Sequence, residues 1–190
     1  MTTFKKLVPF FLFVLGFSAT YAQQTRLAFE KGESTIQVGF GLGITYADGA
    51  VNVPPLQVRY EKAVTEYISV GGILGYSSST YNFQGYDYNF NTGMTYETLF
   101  GIKQSYLLIG ARANYHFETG EKFDPYGGAT LGYSKISTGD NIGAGVNLKN
   151  NLVLYGAQIG ANYYFSDKIG GWAELGYGIS YFNLGLSYKF

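Results

Sequence analysis

Apolar and polar residues alternate one by one along most of the chain, in blocks separated by short runs of Gly, Asn, Asp, Ser, Glu and Lys. A period of two belongs to a strand with one greasy and one polar face, not to a helix. The clearest block sets Ile36, Val38, Phe40, Leu42, Ile44 and Tyr46 against Gln37, Gly39, Gly41, Gly43 and Thr45. A second runs from Leu56 to Glu61, and a third sets Ile68, Val70, Leu74 and Tyr76 against Ser69, Gly71, Gly75 and Ser77. The fourth sets Leu107, Ile109, Ala111, Ala113, Tyr115 and Phe117 against Leu108, Gly110, Arg112, Asn114 and His116. Further blocks cover Gly127 to Ser134, Tyr155 to Phe165, Trp172 to Ile179 with Ile179 on the apolar face, and Phe182 to Phe190. That makes eight predicted strands. Connections after the second, fourth and sixth are short; Ala47 to Pro55, Ser78 to Lys103 and Ile136 to Asn150 read as longer loops.

The two faces differ in a way that decides what surrounds them. A soluble carrier barrel turns its bulky face inward and its charged face to water. Here the face opposite the bulky residues holds mainly Gly, Ser, Thr, Asn and Gln, which suit a narrow interior, while the bulky face carries no charge through its middle. Aromatic residues gather near the strand ends of that bulky face. Tyr46, Tyr76, Tyr133, Tyr155 and Tyr177 fall at one end; Tyr60, Tyr115, Phe117, Tyr163, Phe165, Tyr188 and Phe190 fall at the other. Two such girdles mark the two interfaces of a bilayer. The expectation is an all-β fold, an eight-stranded antiparallel up-and-down transmembrane β-barrel with short periplasmic turns and longer extracellular loops.

Composition agrees, with 18% aromatic residues, 27 glycines, no cysteine and 14% charged residues in 190. Net charge is zero, which excludes a nucleic-acid footprint. Lys5 and Lys6 precede an apolar run, Leu7 to Phe17, followed by Ala19-Thr20-Tyr21-Ala22. That is the build of a signal peptide over residues 1–22, too short to cross a membrane as a helix. The domain expectation is a polar periplasmic lead over 23–33 and a barrel over 34–190.

The segments GGATLGY (Gly127 to Tyr133), AELGYG (Ala173 to Gly178) and NLGLSYKF (Asn183 to Phe190) resemble the small outer-membrane β-barrel family, porin-like proteins related to outer membrane proteins A, W and X. The resemblance runs from about Thr35 to Phe190 and implies an outer-membrane location in a Gram-negative bacterium. It also implies that Leu184, Leu186, Tyr188 and Phe190 form an insertion signal read by the barrel assembly machinery. The implied surroundings are outer-membrane lipid and lipopolysaccharide, with a monomer as the default. No appended peptidoglycan-binding domain is expected. The family includes structural, adhesive and channel members, so the resemblance specifies a fold and not a substrate.

Some barrels of this size are lipid A deacylases or palmitoyltransferases, which rely on histidine with serine. His116 is the single histidine, it lies on the inward face before a turn, and its sequence neighbours are not serines. No catalytic residue, no metal site and no cofactor are therefore expected. The stretch Tyr81 to Phe100, rich in Tyr and Asn, has a composition suited to recognising surfaces, but nothing in it names an extracellular partner. Strand parity leaves four charged residues inside the central barrel: Arg59, Glu61, Arg112 and Glu174. Counting from the nearest turns puts Arg112 and Glu174 at similar depth, with Arg59 slightly lower, so a plug centred on Glu174 is expected. The functional expectation is a structural or surface-interaction role in the cell envelope, with a narrow conduit for small solutes as the alternative.

Overall fold

In the computed structural model the described residues are 27–45, 49–140 and 149–190. They form eight strands: β1 (Ser34–Leu42), β2 (Ala50–Ala63), β3 (Ile68–Asn89), β4 (Met94–His116), β5 (Phe123–Asp140), β6 (Lys149–Tyr164), β7 (Ile169–Gly176) and β8 (Phe182–Lys189). Each pairs antiparallel with its sequence neighbour, and β1 pairs with β8 to close the barrel. Closure leaves the barrel wall with no open edge, the condition for a sheet in surroundings that cannot hydrogen-bond to it. The seam runs from Thr35 opposite Lys189 to Leu42 opposite Phe182.

Burial is inverted relative to a water-soluble domain. Leu131 is 64% exposed, Val153 63%, Ile109 62% and Val38 48%, whereas Arg59 is 1% and Arg112 and Glu174 are each 4% exposed. Small residues on the inward face make room for large ones. A side chain at Gly39 would collide with the ring of Trp172, and one at Gly185 with its indole nitrogen, so both glycines accommodate a tryptophan that lies in the lumen.

The loop expected over Ile136 to Asn150 is shorter, since β5 runs to Asp140 and β6 starts at Lys149 with Ile136 opposite Asn150, and β1 stops at Leu42, short of Ile44; three further expectations are corrected. The loop expected over Ser78 to Lys103 is instead a two-stranded ribbon: β3 and β4 stay in unbroken register from Ile68 opposite Tyr115 to Asn89 opposite Met94. The alternation of Tyr and Phe continues through the polar residues there, and Phe83 meets Phe100 at 5.6 Å between ring centroids. Only residues 90–93 turn, with Gly93 at a φ of 67° that favours glycine. Secondly, β2 begins at Ala50, and of two register irregularities, between Val51 and Val53 and between Val53 and Leu56, the second accommodates Pro54 and Pro55, which cannot donate to a ladder. Thirdly, β7 ends at Gly176, the alternation breaks, and Ile179 turns into the lumen, where it is 6% exposed.

Candidate functional site

The lumen is filled in layers, and the central layer is ionic. β7 projects Glu174 inward, β2 projects Arg59 and Glu61, and β4 projects Arg112, each on the polar phase of its strand. Arg59 grips the Glu174 carboxylate with both terminal nitrogens, Nη2 to Oε1 at 2.7 Å and Nη1 to Oε2 at 3.0 Å. Arg112 bridges the two acids, donating from Nη2 to Glu174 Oε2 at 2.7 Å and from Nε to Glu61 Oε1 at 3.0 Å. Two acids and two bases balance, as buried charges require.

Neutral groups complete the layer. The Tyr126 hydroxyl donates to Glu174 Oε2 at 3.0 Å. Glu61 Oε2 accepts from Asn114 at 2.9 Å and from the Ser69 hydroxyl at 3.0 Å. Gln57 accepts from Arg59 Nε at 2.9 Å and donates to Asn183 at 2.6 Å, while Gln158 donates to Asn114 at 2.9 Å. The Arg59 guanidinium also lies over the Trp172 ring, 3.9 Å from its centroid. Parity alone pointed to the four charged residues. It did not point to Tyr126, which follows Pro125 and lies just before the block that begins at Gly127, although it shares the inward phase with Gly128.

A second layer is apolar. Ile73, Leu108, Leu154 and Ile179 form one buried cluster. The two layers face a cavity of about 20 Å³, and a second cavity of about 10 Å³ lies beside His116 and Asp124. Each has room for about one water.

His116 is held more firmly than its sequence surroundings suggest. Its Nδ1 lies 2.7 Å from Asp124 Oδ1 and its Nε2 lies 2.9 Å from Ser69 Oγ. Its sequence neighbours are not serines, but the fold brings one to it, because β3 and β4 pair Ser69 with Asn114, two residues from His116. The order Ser, His, Asp is that of a hydrolytic triad. The packing does not suit that chemistry: Ser69 is 1% exposed, its hydroxyl donates to Glu61, and the adjoining cavity is too small for an acyl group. Among the described residues no group of three or more His, Asp and Glu is placed to hold a metal ion.

The segment expected as a polar lead is tucked in where it is described. Over residues 27–33 it crosses the mouth at which β1 begins and β8 ends; Ala28 is 2% exposed and Phe29 stacks on His116.

The exterior carries the expected aromatic positions. Tyr76, Tyr133, Tyr155 and Tyr177 lie exposed toward one end; Tyr60, Tyr115, Phe117, Tyr163, Phe165, Tyr188 and Phe190 lie exposed toward the other. Tyr46 lies outside the described residues, as do residues 1–22. Along β8, Leu186 and Tyr188 face out at 58% and 46%, Leu184 is half-buried, and Lys189 points in at 4%.

No protein-family profile matches the chain, and no curated protein matches it in sequence. Solved structures do match in shape. The N-terminal β-barrel domain of Pseudomonas aeruginosa OprF is 16% identical with a TM-score of 0.50, covering 85% of this chain and 100% of that one. Ail, the attachment invasion locus protein of Yersinia pestis, is 15% identical with a TM-score of 0.53, covering 84% and 99%. The outer membrane protein OprG of Pseudomonas aeruginosa is 12% identical with a TM-score of 0.53, covering 88% and 98%. A closed, inside-out, eight-stranded barrel with a charged lumen and aromatic ends thus has the fold of the small outer-membrane β-barrels.

Proposed function

We propose that the protein is an integral outer-membrane barrel with a sealed lumen, whose role is to stabilise the envelope and to present the β3–β4 ribbon at the cell surface. The observation that carries this reading is the filled interior. A buried ionic layer and an apolar layer cross the lumen in series, and the cavities left beside them measure about 20 Å³ and 10 Å³. A hydrated ion needs a continuous wet path, and among the described residues these two cavities each hold about one water, in a barrel of a size that its own side chains can fill. The packing therefore favours the structural role over a narrow conduit.

The surface role rests on the ribbon. Beyond Thr80, where β2 stops pairing with β3, the two strands continue to Asn89 and Met94. Tyr86 is 77% exposed, Phe90 90% and Leu99 71%, an amount of exposed apolar area that suits contact with another surface. Ail, named as the attachment invasion locus protein, shares this fold, and its name is in keeping with a role in contact. In this reading the protein acts as a monomer without cofactor or catalysis. Outer-membrane lipid and lipopolysaccharide surround it, and the assembly machinery inserts it.

The test is single-channel recording from the refolded protein in planar bilayers, with cell fractionation alongside. The reading expects a silent bilayer and recovery in the outer-membrane fraction. Steady openings would move the protein to the conduit class, and recovery in the soluble periplasm would remove it from the membrane.

A further inference from the structure

Residues 27–33 form none of the eight strands, yet they are tied to three separate parts of the rim. The Ala28 N–H donates to the Gly120 carbonyl in the β4–β5 turn at 2.9 Å. The Gly32 N–H donates to the Ala63 carbonyl at the end of β2, and the Ala63 N–H donates back to the Glu33 carbonyl, both at 2.9 Å. Lys189, at the end of β8, donates from Nζ to the Ala28 carbonyl at 3.2 Å and pairs with Glu33 Oε2 at 3.2 Å. Between these anchors the Phe29 ring lies flat on the imidazole of His116, 3.6 Å between centroids and 10° from parallel.

Below Phe29 a single hydrogen-bonded string leads to the centre of the barrel. His116 Nε2 lies 2.9 Å from Ser69 Oγ, and Ser69 donates to Glu61 at 3.0 Å. Glu61 accepts from Arg112 at 3.0 Å, and Arg112 donates to Glu174 at 2.7 Å. We propose that residues 27–33 are a latch on the inner mouth of the barrel, with Phe29 as its stopper on His116, and that releasing the latch admits water to the string that ends at Glu174.

The physical case is the contrast in how the two parts are held. The barrel wall is a continuous ladder closed on itself, which opens only in a global event. The latch is held by a few backbone bonds, one ion pair and one ring stack, so it belongs to the low-stability end of the molecule and opens first. Its opening leaves the ionic and apolar layers in place. The inner half of the lumen thereby has a closed and an open state while the barrel as a whole stays sealed. The proposal rests on the proposed function only in that the ribbon at the cell surface puts this mouth, at the other end of β3 and β4, toward the periplasm.

The test uses the chain's single histidine. Carbethoxylation by diethyl pyrocarbonate, on protein purified without a histidine tag and placed in lipid nanodiscs, is followed by the ultraviolet absorbance of N-carbethoxyimidazole, a product that only His116 can form, whatever lysines and tyrosines also react. The wild type is expected to react slowly. Phe29→Ala should react about tenfold faster or more, because losing such a stack together with its burial shifts the opening equilibrium by at least about one decade. Ala28→Pro, which removes the N–H given to Gly120, should act in the same direction, while Phe29→Tyr should stay near the wild-type rate. Heat-modifiable gel migration confirms that each variant retains the barrel. A wild-type His116 as reactive as one in unfolded chain, or folded Phe29→Ala and Ala28→Pro proteins with unchanged rates, would overturn the latch. Channel openings from a wild type whose His116 stays protected would instead overturn the sealed barrel and leave the latch standing.

Discussion

The layer around Glu174 and the layer around Leu108 face the same cavity of about 20 Å³ and fill the same barrel, but by opposite chemistry. Around Glu174 each charge is held by named partners: its Oε2 alone accepts from Arg59, Arg112 and Tyr126. Around Leu108 the contacts among Ile73, Leu154 and Ile179 are non-directional and depend on volume. The first layer is all or nothing, since removing one charge leaves another uncompensated away from water. The second degrades by degrees, each lost methyl opening a little more cavity.

Glu174→Gln should separate them most sharply. It leaves two buried arginines facing one acid, at a cost of about 3 to 5 kcal/mol if the layer is dry. Urea unfolding followed by gel migration would show the loss; a midpoint shift worth less than that of a surface substitution would make the ionic layer dispensable. Leu108→Ala should come next, at about 2 to 3 kcal/mol, the lower part of the usual range because the side chain already borders a cavity. If it proved costlier than Glu174→Gln under the same conditions, the ranking of the two layers would be reversed.

How much of this could be read from the sequence divides along the same line. Arg59, Arg112 and Glu174 were legible because charge is rare in these strands and a period of two fixes which face each residue takes. Counting from the turns gave their depth. The apolar layer was not legible in full, because Ile179 owes its inward position to the end of β7 at Gly176, where the period stops carrying information. Ser69 and His116 lie 47 positions apart, and only the register between β3 and β4 brings them together. The ribbon read as a loop because Asn and Gly are abundant in it, although the cross-strand pairing of Phe83 with Phe100 sustains the ladder. The latch carries no periodic signal, since its order comes from the rim it crosses.

Two smaller effects extend the comparison to the exterior. Phe190→Asp puts a charge on the outward face at an end of the barrel, where the penalty falls to roughly 0 to 1 kcal/mol from about 2 to 4 at the bilayer midplane. Its main effect should be on assembly, seen as a lower yield of heat-modifiable protein in the outer membrane; an unchanged yield would show that the terminal aromatic is not part of an insertion signal. Phe100→Ala in the ribbon should cost well under about 1 kcal/mol, the scale of one cross-strand pair, and leave the unfolding midpoint of the barrel in place. A large shift there would mean that ribbon and barrel form one cooperative unit.

The central claim is that Glu174 and Arg112, carried on β7 and β4, work as one buried unit. A double-mutant cycle on Glu174→Gln and Arg112→Gln in the refolded protein measures this directly. The account predicts that the double variant loses clearly less stability than the two single losses added together, because each single change strands a charge that the other removes. Additive losses would show that the two residues do not support each other and that the lumen is not held closed by this layer.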